Sequence, residues 1–175
     1  MRKILKGGHR GACGYCIENT IDSFTKAVEL GADILEFDVR HAADGIAVIH
    51  DATVGQTTNG TGLVRNVTLF DLAHLKPSVP SLNNVLALLG NGNMFGKELW
   101  FNIELKDKNM ARAVFERVHT YAMERRTIIS AAARAGIVGG MGRKEVFNSL
   151  PSRGSSRAGA AASLPRSSAS PPRRG

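Results

Sequence analysis

The sequence predicts an α/β fold in which a mostly parallel sheet is covered by helices. Short apolar, β-branched runs alternate along the chain with segments whose apolar residues recur at helical spacing. The runs read as buried strands, and buried strands joined through helices pair in parallel. Several of these runs also stop at polar, titratable residues, as expected where the strands of a parallel α/β barrel carry functional groups at their ends. With 175 residues, of which 43% are hydrophobic, the chain is long enough for one domain with its own core.

Taken in order, residues 3–7 read as a short strand centred on Ile4-Leu5. It runs into Gly7-Gly8-His9-Arg10-Gly11, where glycines on both sides of His-Arg mark backbone that turns tightly or lets a ligand approach. Ile21, Phe24, Ala27, Val28 and Leu30 fall at helical spacing. Asn19 or Thr20 is the expected N-cap, and Gly31 is the residue that ends the helix. Residues 34–39 form a strand with Glu36 and Asp38 on one face and Leu35, Phe37 and Val39 on the other. After a turn at Asp44-Gly45, residues 46–49 make a second strand that stops at His50-Asp51.

Residues 53–62 are polar and glycine-rich and read as loop. Residues 68–75 read as one or two helical turns, after which Pro77 and Pro80 break the chain. Ser81 caps a helix over 82–89 that Gly90 closes. In the strand over 99–106, Leu99, Phe101, Ile103 and Leu105 face one way; Trp100, Asn102, Glu104 and Lys106 face the other. Residues 109–125 read as an amphipathic helix through Ala111, Val114, Phe115, Val118, Tyr121 and Ala122, and residues 127–130 begin another strand. The pattern then fails. Residues 131–142 are small and aperiodic, and residues 151–175 hold Ser, Arg, Ala, Pro and Gly almost throughout. Such a segment buries too little apolar surface to offset its ordering entropy, so a disordered C-terminal tail is expected.

The net charge of +8 is unevenly placed. Residues 151–175 hold five Arg and no acid, so the other 150 residues carry +3 from 18 basic and 15 acidic side chains. The basic signal belongs mainly to the tail, and without interleaved aromatics it does not point to nucleic acid. Cys13 and Cys16 form a lone Cys-x-x-Cys; a structural zinc site needs a second pair. A redox motif remains the alternative to two small loop residues. No run is long enough to span a membrane and the N-terminus does not make a signal peptide, so a cytoplasmic protein is expected.

The strand ends carry His9-Arg10, Glu36 with Asp38, His50-Asp51, and Glu104 with Lys106. Two acids side by side on a buried strand repel unless a cation lies between them; the alternative is an edge strand with a solvated acidic face. Glu36, Asp38 and Glu104 offer oxygen ligands to Mg2+ or Ca2+, and Arg10 and Lys106 suit phosphate oxygens. His9 and His50 exchange protons near neutral pH. Each has a plainer reading alone: a histidine after a strand is often structural, and Lys106 pairs readily with Glu104. Together they fit metal-assisted phosphoryl chemistry, with a cation neutralising developing charge.

These residues sit in an ordered set of motifs: His9-Arg10-Gly11, Glu18-Asn19-Thr20, Glu36-x-Asp38, Asp44-Gly45 with Val48-x-His50-Asp51, Thr57-Thr58-Asn59-Gly60-Thr61-Gly62, Val79-Pro80-Ser81-Leu82 and Ile103-Glu104-Leu105-Lys106. The set resembles the glycerophosphodiester phosphodiesterase family over about residues 3–130. The resemblance implies an incomplete TIM-type (β/α) barrel, roughly the first half, over 1–130, followed by a divergent, low-complexity basic segment over 131–175. It implies hydrolysis of a small-molecule glycerophosphodiester to glycerol 3-phosphate and an alcohol, by attack of the glycerol 2-hydroxyl through a cyclic intermediate. It also implies His9 and His50 as the acid/base pair, Glu36, Asp38 and Glu104 as divalent-cation ligands, and Arg10 and Lys106 as phosphate holders. Ile17 stands where the family has Pro, and Gln56 where it has Arg. A closed barrel uses eight strands and roughly 250 residues, so the compositional change near Ala131 reads as a truncated or frame-shifted product of a longer gene. An inactive fragment of such an enzyme and a phospholipase D-like phosphodiesterase are the alternatives.

Overall fold

The computed structural model describes residues 4–90, 96 and 98–131. In chain order its elements are β1 (Gly7–Gly8), α1 (Ile21–Glu29), β2 (Ile34–His41), β3 (Ile46–Val48), α2 (Leu69–His74), α3 (Leu82–Gly90), β4 (Trp100–Leu105), α4 (Ala111–Thr120) and β5 (Thr127–Ala131). The sheet order is β1-β2-β4-β5, with every neighbour on that path parallel. β2 therefore lies inside the sheet, which excludes the edge-strand reading of Glu36 and Asp38.

Alternation along β2 and β4 builds the core. Leu35, Phe37, Val39, Phe101, Ile103 and Leu105 all point to one side and are buried. They pack against Phe24, Ala27 and Val28 of α1, Val85, Leu86 and Leu89 of α3, and Val114 and Val118 of α4. The rings of Phe24 and Phe37 lie 5.5 Å apart, and those of Phe37 and Phe101 lie 6.2 Å apart. The opposite side of the same strands carries Glu36, Asp38, Asn102, Glu104 and Ser130, with Ser130 Oγ donating to Asn102 Oδ1 at 3.0 Å. A smaller core of Ala42, Ala47, Ile49, Val54, Val64, Leu72 and Val79 lies under the excursion between β3 and α3.

Helix α1 begins at Thr20, whose hydroxyl accepts from Ser23 N at 3.2 Å, and Gly31, at φ +88, follows its C-cap Leu30. Ser81 caps α3 by accepting from Asn84 N.

Four expectations are corrected. The first strand is not centred on Ile4-Leu5, which are 86% and 46% exposed. Pairing starts at Gly7 opposite Ile34, once Lys6 O has accepted from Asp33 N and Ile34 N. The last helix stops at Thr120 rather than Arg125, because Ala122 turns left-handed at φ 52 and a short 3-10 turn follows over Glu124–Arg126. Ala111 and Phe115 also point to solvent; Met110, Val114 and Val118 make the buried stripe. The loop over 53–62 contains a 3-10 turn at Val54–Gln56. Finally, β3 is antiparallel to β2 and lies off the main path.

Residues 132–175, with the disorder and basic-tail readings attached to them, lie outside the described residues, as do most of the 91–97 connection and Lys3. No helix among the described residues is long and apolar enough to cross a membrane.

Candidate active site at the strand ends

Parallel register places Asp38 directly opposite Glu104 on the neighbouring strand. With Glu36 one step back on the same face, one carboxylate oxygen from each residue lies within 4.8 Å of the others. Asp38 is the deepest, with its side chain 1% exposed; those of Glu36 and Glu104 are 13% and 26% exposed.

Two cations bracket these acids. The His9-Arg10 loop lies flat on α1 because Gly11 sits at φ +80, where a Cβ would come within 2.3 Å of Ser23 Oγ. That hydroxyl donates to Arg10 O at 2.9 Å. The Arg10 backbone N–H donates to Glu36 Oε2 at 2.7 Å, and its Nη1 donates to both oxygens of Glu18 at 2.9 Å. Arg10 Nε lies 3.3 Å from Asp38 Oδ2 but is not aligned to hydrogen-bond it, leaving a buried donor without an acceptor. Lys106 Nζ lies 3.0 Å from Asp38 Oδ1 and 2.7 Å from Glu104 Oε1. The plainer pairing of Lys106 with Glu104 is therefore present, but Asp38 shares it.

Asn19 fixes the central acid. It is buried at φ 57, its Nδ2 donates to Asp38 Oδ2 at 3.0 Å, and its Oδ1 accepts from Asp38 N at 3.1 Å. Only a short amide side chain holds that left-handed backbone and reaches both groups.

The two imidazoles flank the cluster differently. His9 is exposed, with Nε2 3.9 Å from Glu36 Oε2. His50 arrives on the return leg of the β2–β3 hairpin, not at the end of a parallel strand. That leg brings it back level with the acids, since Ile49 N donates to Asp38 O at 3.0 Å. His50 Nδ1 bonds Asp51 Oδ1 at 2.9 Å. Beside it a shallow, open depression is lined by Ile17, Glu18, Thr20, His50, Thr58 and Val79.

The charges perturb one another. Burial raises Glu36 above the usual carboxylate range; the Arg10 N–H opposes this, while Asp38 and Glu104 reinforce it. For Lys106, burial works against the charge but hydrogen bonds to Glu104 and Asp38 outweigh it, so its pKa is raised. Arg10 is raised in the same way, by Glu18 and the charges of Asp38 and Glu36 against burial. Because Glu36 titrates higher in the folded chain than unfolded, its ionisation costs stability as pH rises through the folded value. Glu36→Gln is therefore expected to raise the Tm of the metal-free protein by roughly 2 °C at pH 8, small because the group keeps part of its water. The gain should vanish below the ordinary carboxylate range, where both side chains are neutral. Calorimetry at pH 4 and pH 8 checks this; equal gains at both would refute the assignment to charge.

All seven residues singled out from the sequence thus gather at one end of the sheet. Glu36, Asp38, Glu104, Arg10, Lys106 and His9 interact directly, and His50 joins through the backbone. Sequence reasoning gave Glu18 and Asn19 no role in the site, only a place in the Glu18-Asn19-Thr20 motif and, for Asn19, that of a candidate N-cap. The signal that could have found them was that motif, set immediately before the helix N-cap Thr20.

Oxygen-only donors, one of them nine-tenths buried or more, fit a hard divalent cation better than zinc or copper. Glu36 is raised first by burial and further by the charges of Asp38 and Glu104, and that added repulsion is what such an ion relieves.

Parallel strands with helices packed on one side and titratable groups at the strand ends define the TIM-type (β/α) barrel class. Within it, the chain belongs to the glycerophosphoryl diester phosphodiesterase family, whose model matches residues 9–143. It is 36% identical over 146 residues to the glycerophosphodiester phosphodiesterase of Caldanaerobacter subterraneus subsp. tengcongensis, covering 74% of this chain and 58% of that one. The crystal structure of glycerophosphodiester phosphodiesterase from Agrobacterium tumefaciens matches with 32% identity and a TM-score of 0.64, over 74% of this chain and 59% of that one. The Thermotoga maritima enzyme structure matches with 28% identity and a TM-score of 0.64, over 75% and 55%. The chain therefore spans a little over half the length of these relatives.

Proposed function

We propose that this chain is a divalent-cation-dependent phosphodiesterase that hydrolyses glycerophosphodiesters to glycerol 3-phosphate and an alcohol. The observation that carries this reading is the meeting of three carboxylate oxygens within 4.8 Å, with Arg10 and Lys106 against them, in a chain of this family. The substrate class comes from the relatives' names.

In this reading Glu36, Asp38 and Glu104 hold Mg2+ or Ca2+. Bound there, the ion supplies charge neutralisation at the phosphoryl oxygens. Arg10, with its unaccepted Nε, grips the phosphate, and Lys106 turns from the acids toward it as a point charge. One imidazole of the His9/His50 pair removes the proton from the attacking hydroxyl; the other protonates the leaving alkoxide.

The test is release of glycerol 3-phosphate from glycerophosphocholine by the purified chain. Turnover should disappear on chelation and return with Mg2+ or Ca2+. Absence of turnover in a folded, monodisperse sample under saturating cation would overturn it. One observation favours a second reading, binding of cation and phosphate without turnover. Among the described residues β1 and β5 each pair on one side only, whereas a closed barrel leaves no free edge. Cation binding without product separates the two.

A further inference from the structure

One side chain outside the proposed catalytic set is tied to three parts of the site at once. Arg40 stands two residues beyond Asp38 on β2, with its side chain 17% exposed. Its Nε donates to the His50 backbone oxygen at 2.7 Å, and its Nη1 donates to Asp107 Oδ1 at 2.5 Å. The other oxygen of Asp107 accepts from His41 N at 2.9 Å. Asp107 directly follows Lys106, whose own N–H donates to Val39 O at 3.1 Å. A single guanidinium thus joins the end of β2, the returning strand at His50, and the segment that carries Lys106.

The geometry points to Arg40 as a positioning residue: it holds His50 in place against Lys106 and the carboxylates by bonding the His50 carbonyl and Asp107 together. Among the described residues Arg40 makes no hydrogen bond or ion pair to the proposed cation ligands or to the imidazole of His50, so it acts through the backbone. The hairpin needs such a tie. β3 pairs with β2 over three residues, the Ile49 N bond to Asp38 O is the last backbone tie before His50, and the His50 carbonyl itself is held by Arg40. The planar fork of Arg serves two acceptors in fixed directions; a Lys amine on its flexible stem does not reproduce that pair of directions.

The kinetic part of this inference rests on the phosphodiesterase reading; the structural part does not. The test therefore uses two readouts on the full chain, with Arg112→Met as a control at an exposed position of α4 whose bond is to Glu116 of the same helix. In the first, Arg40→Met is expected to lower kcat by about 10–100-fold at nearly unchanged KM, the size that a misplacement of ~1 Å at a reacting group produces. Arg40→Lys should recover most of the lost Tm but little of the lost kcat, and Asp107→Ala should add little to Arg40→Met. In the second, the ring resonances of His50 should move in Arg40→Met and in Asp107→Ala but not in Arg112→Met.

A fall in Tm with kcat within about threefold of wild type, compared well below the melting range, would show an anchor for the hairpin and overturn the positioning role. If the wild-type chain shows no turnover, the phosphodiesterase reading fails, and the His50 resonances alone decide this one. Resonances that stay in place in both variants would overturn it.

Discussion

Asp38→Ala is expected to cost about 3–5 kcal/mol of folding stability, the price of stranding buried partners when one member of an ion cluster is removed. The side chain is 1% exposed and faces Arg10 Nε at 3.3 Å, Lys106 Nζ at 3.0 Å and the Asn19 amide at 3.0 Å. Deleting it strands the buried Arg10 Nε and the Asn19 amide and takes one of two carboxylates from Lys106, which keeps Glu104 as Arg10 Nη1 keeps Glu18. A loss of that size is a large part of the 5–15 kcal/mol that holds an ordinary domain together. The same change removes the central oxygen ligand, so divalent-cation binding should fall below detection. Glu104→Ala is the comparison. That carboxylate is 26% exposed and bonds only one partner among those described, Lys106, which keeps Asp38. It should lose cation affinity with a much smaller loss of stability. Denaturant midpoints and calorimetric titration with Mg2+ and Ca2+ measure both. An Asp38→Ala protein within 1 kcal/mol of wild type would mean that the cluster does not exist in solution.

The second large effect concerns chemistry rather than stability. His50→Ala should lower kcat by about 10²–10⁴-fold, the range for loss of a positioned acid or base. Stability should change little, because the features that anchor this residue are backbone groups: Ile49 N to Asp38 O, and the His50 carbonyl to Arg40. The imidazole itself is 30% exposed and bonds only its neighbour Asp51 in the described chain. Steady-state rates of glycerol 3-phosphate release, with a thermal melt of each sample, separate lost chemistry from lost folding. A variant that keeps more than a tenth of wild-type kcat would remove His50 from the acid/base pair.

Much of this site was legible because local rules carry it. Period-two alternation put Glu36 and Asp38 on one face and Leu35, Phe37 and Val39 on the other, and burial follows that division. Thr20 and Ser81 announced α1 and α3 by the ordinary logic of N-caps. The ends of elements were less legible. The helix predicted to Arg125 stops at Thr120 because Ala122 takes a left-handed turn, and alanine gives no sequence sign of that.

What the sequence determined by itself was the chemistry on offer: three oxygen acids, two cations and two imidazoles, each at the end of an apolar run, in an order that identifies the family. Tertiary structure alone decided their partnerships. Asn19 finds Asp38 across 19 positions and Arg40 finds Asp107 across 67, separations over which no periodicity carries information. It also decided that β3 runs antiparallel, so that His50 reaches the acids by folding back toward them. The reason is physical: a pattern within one segment fixes which face a side chain takes, whereas the neighbour it meets depends on how separate strands pair.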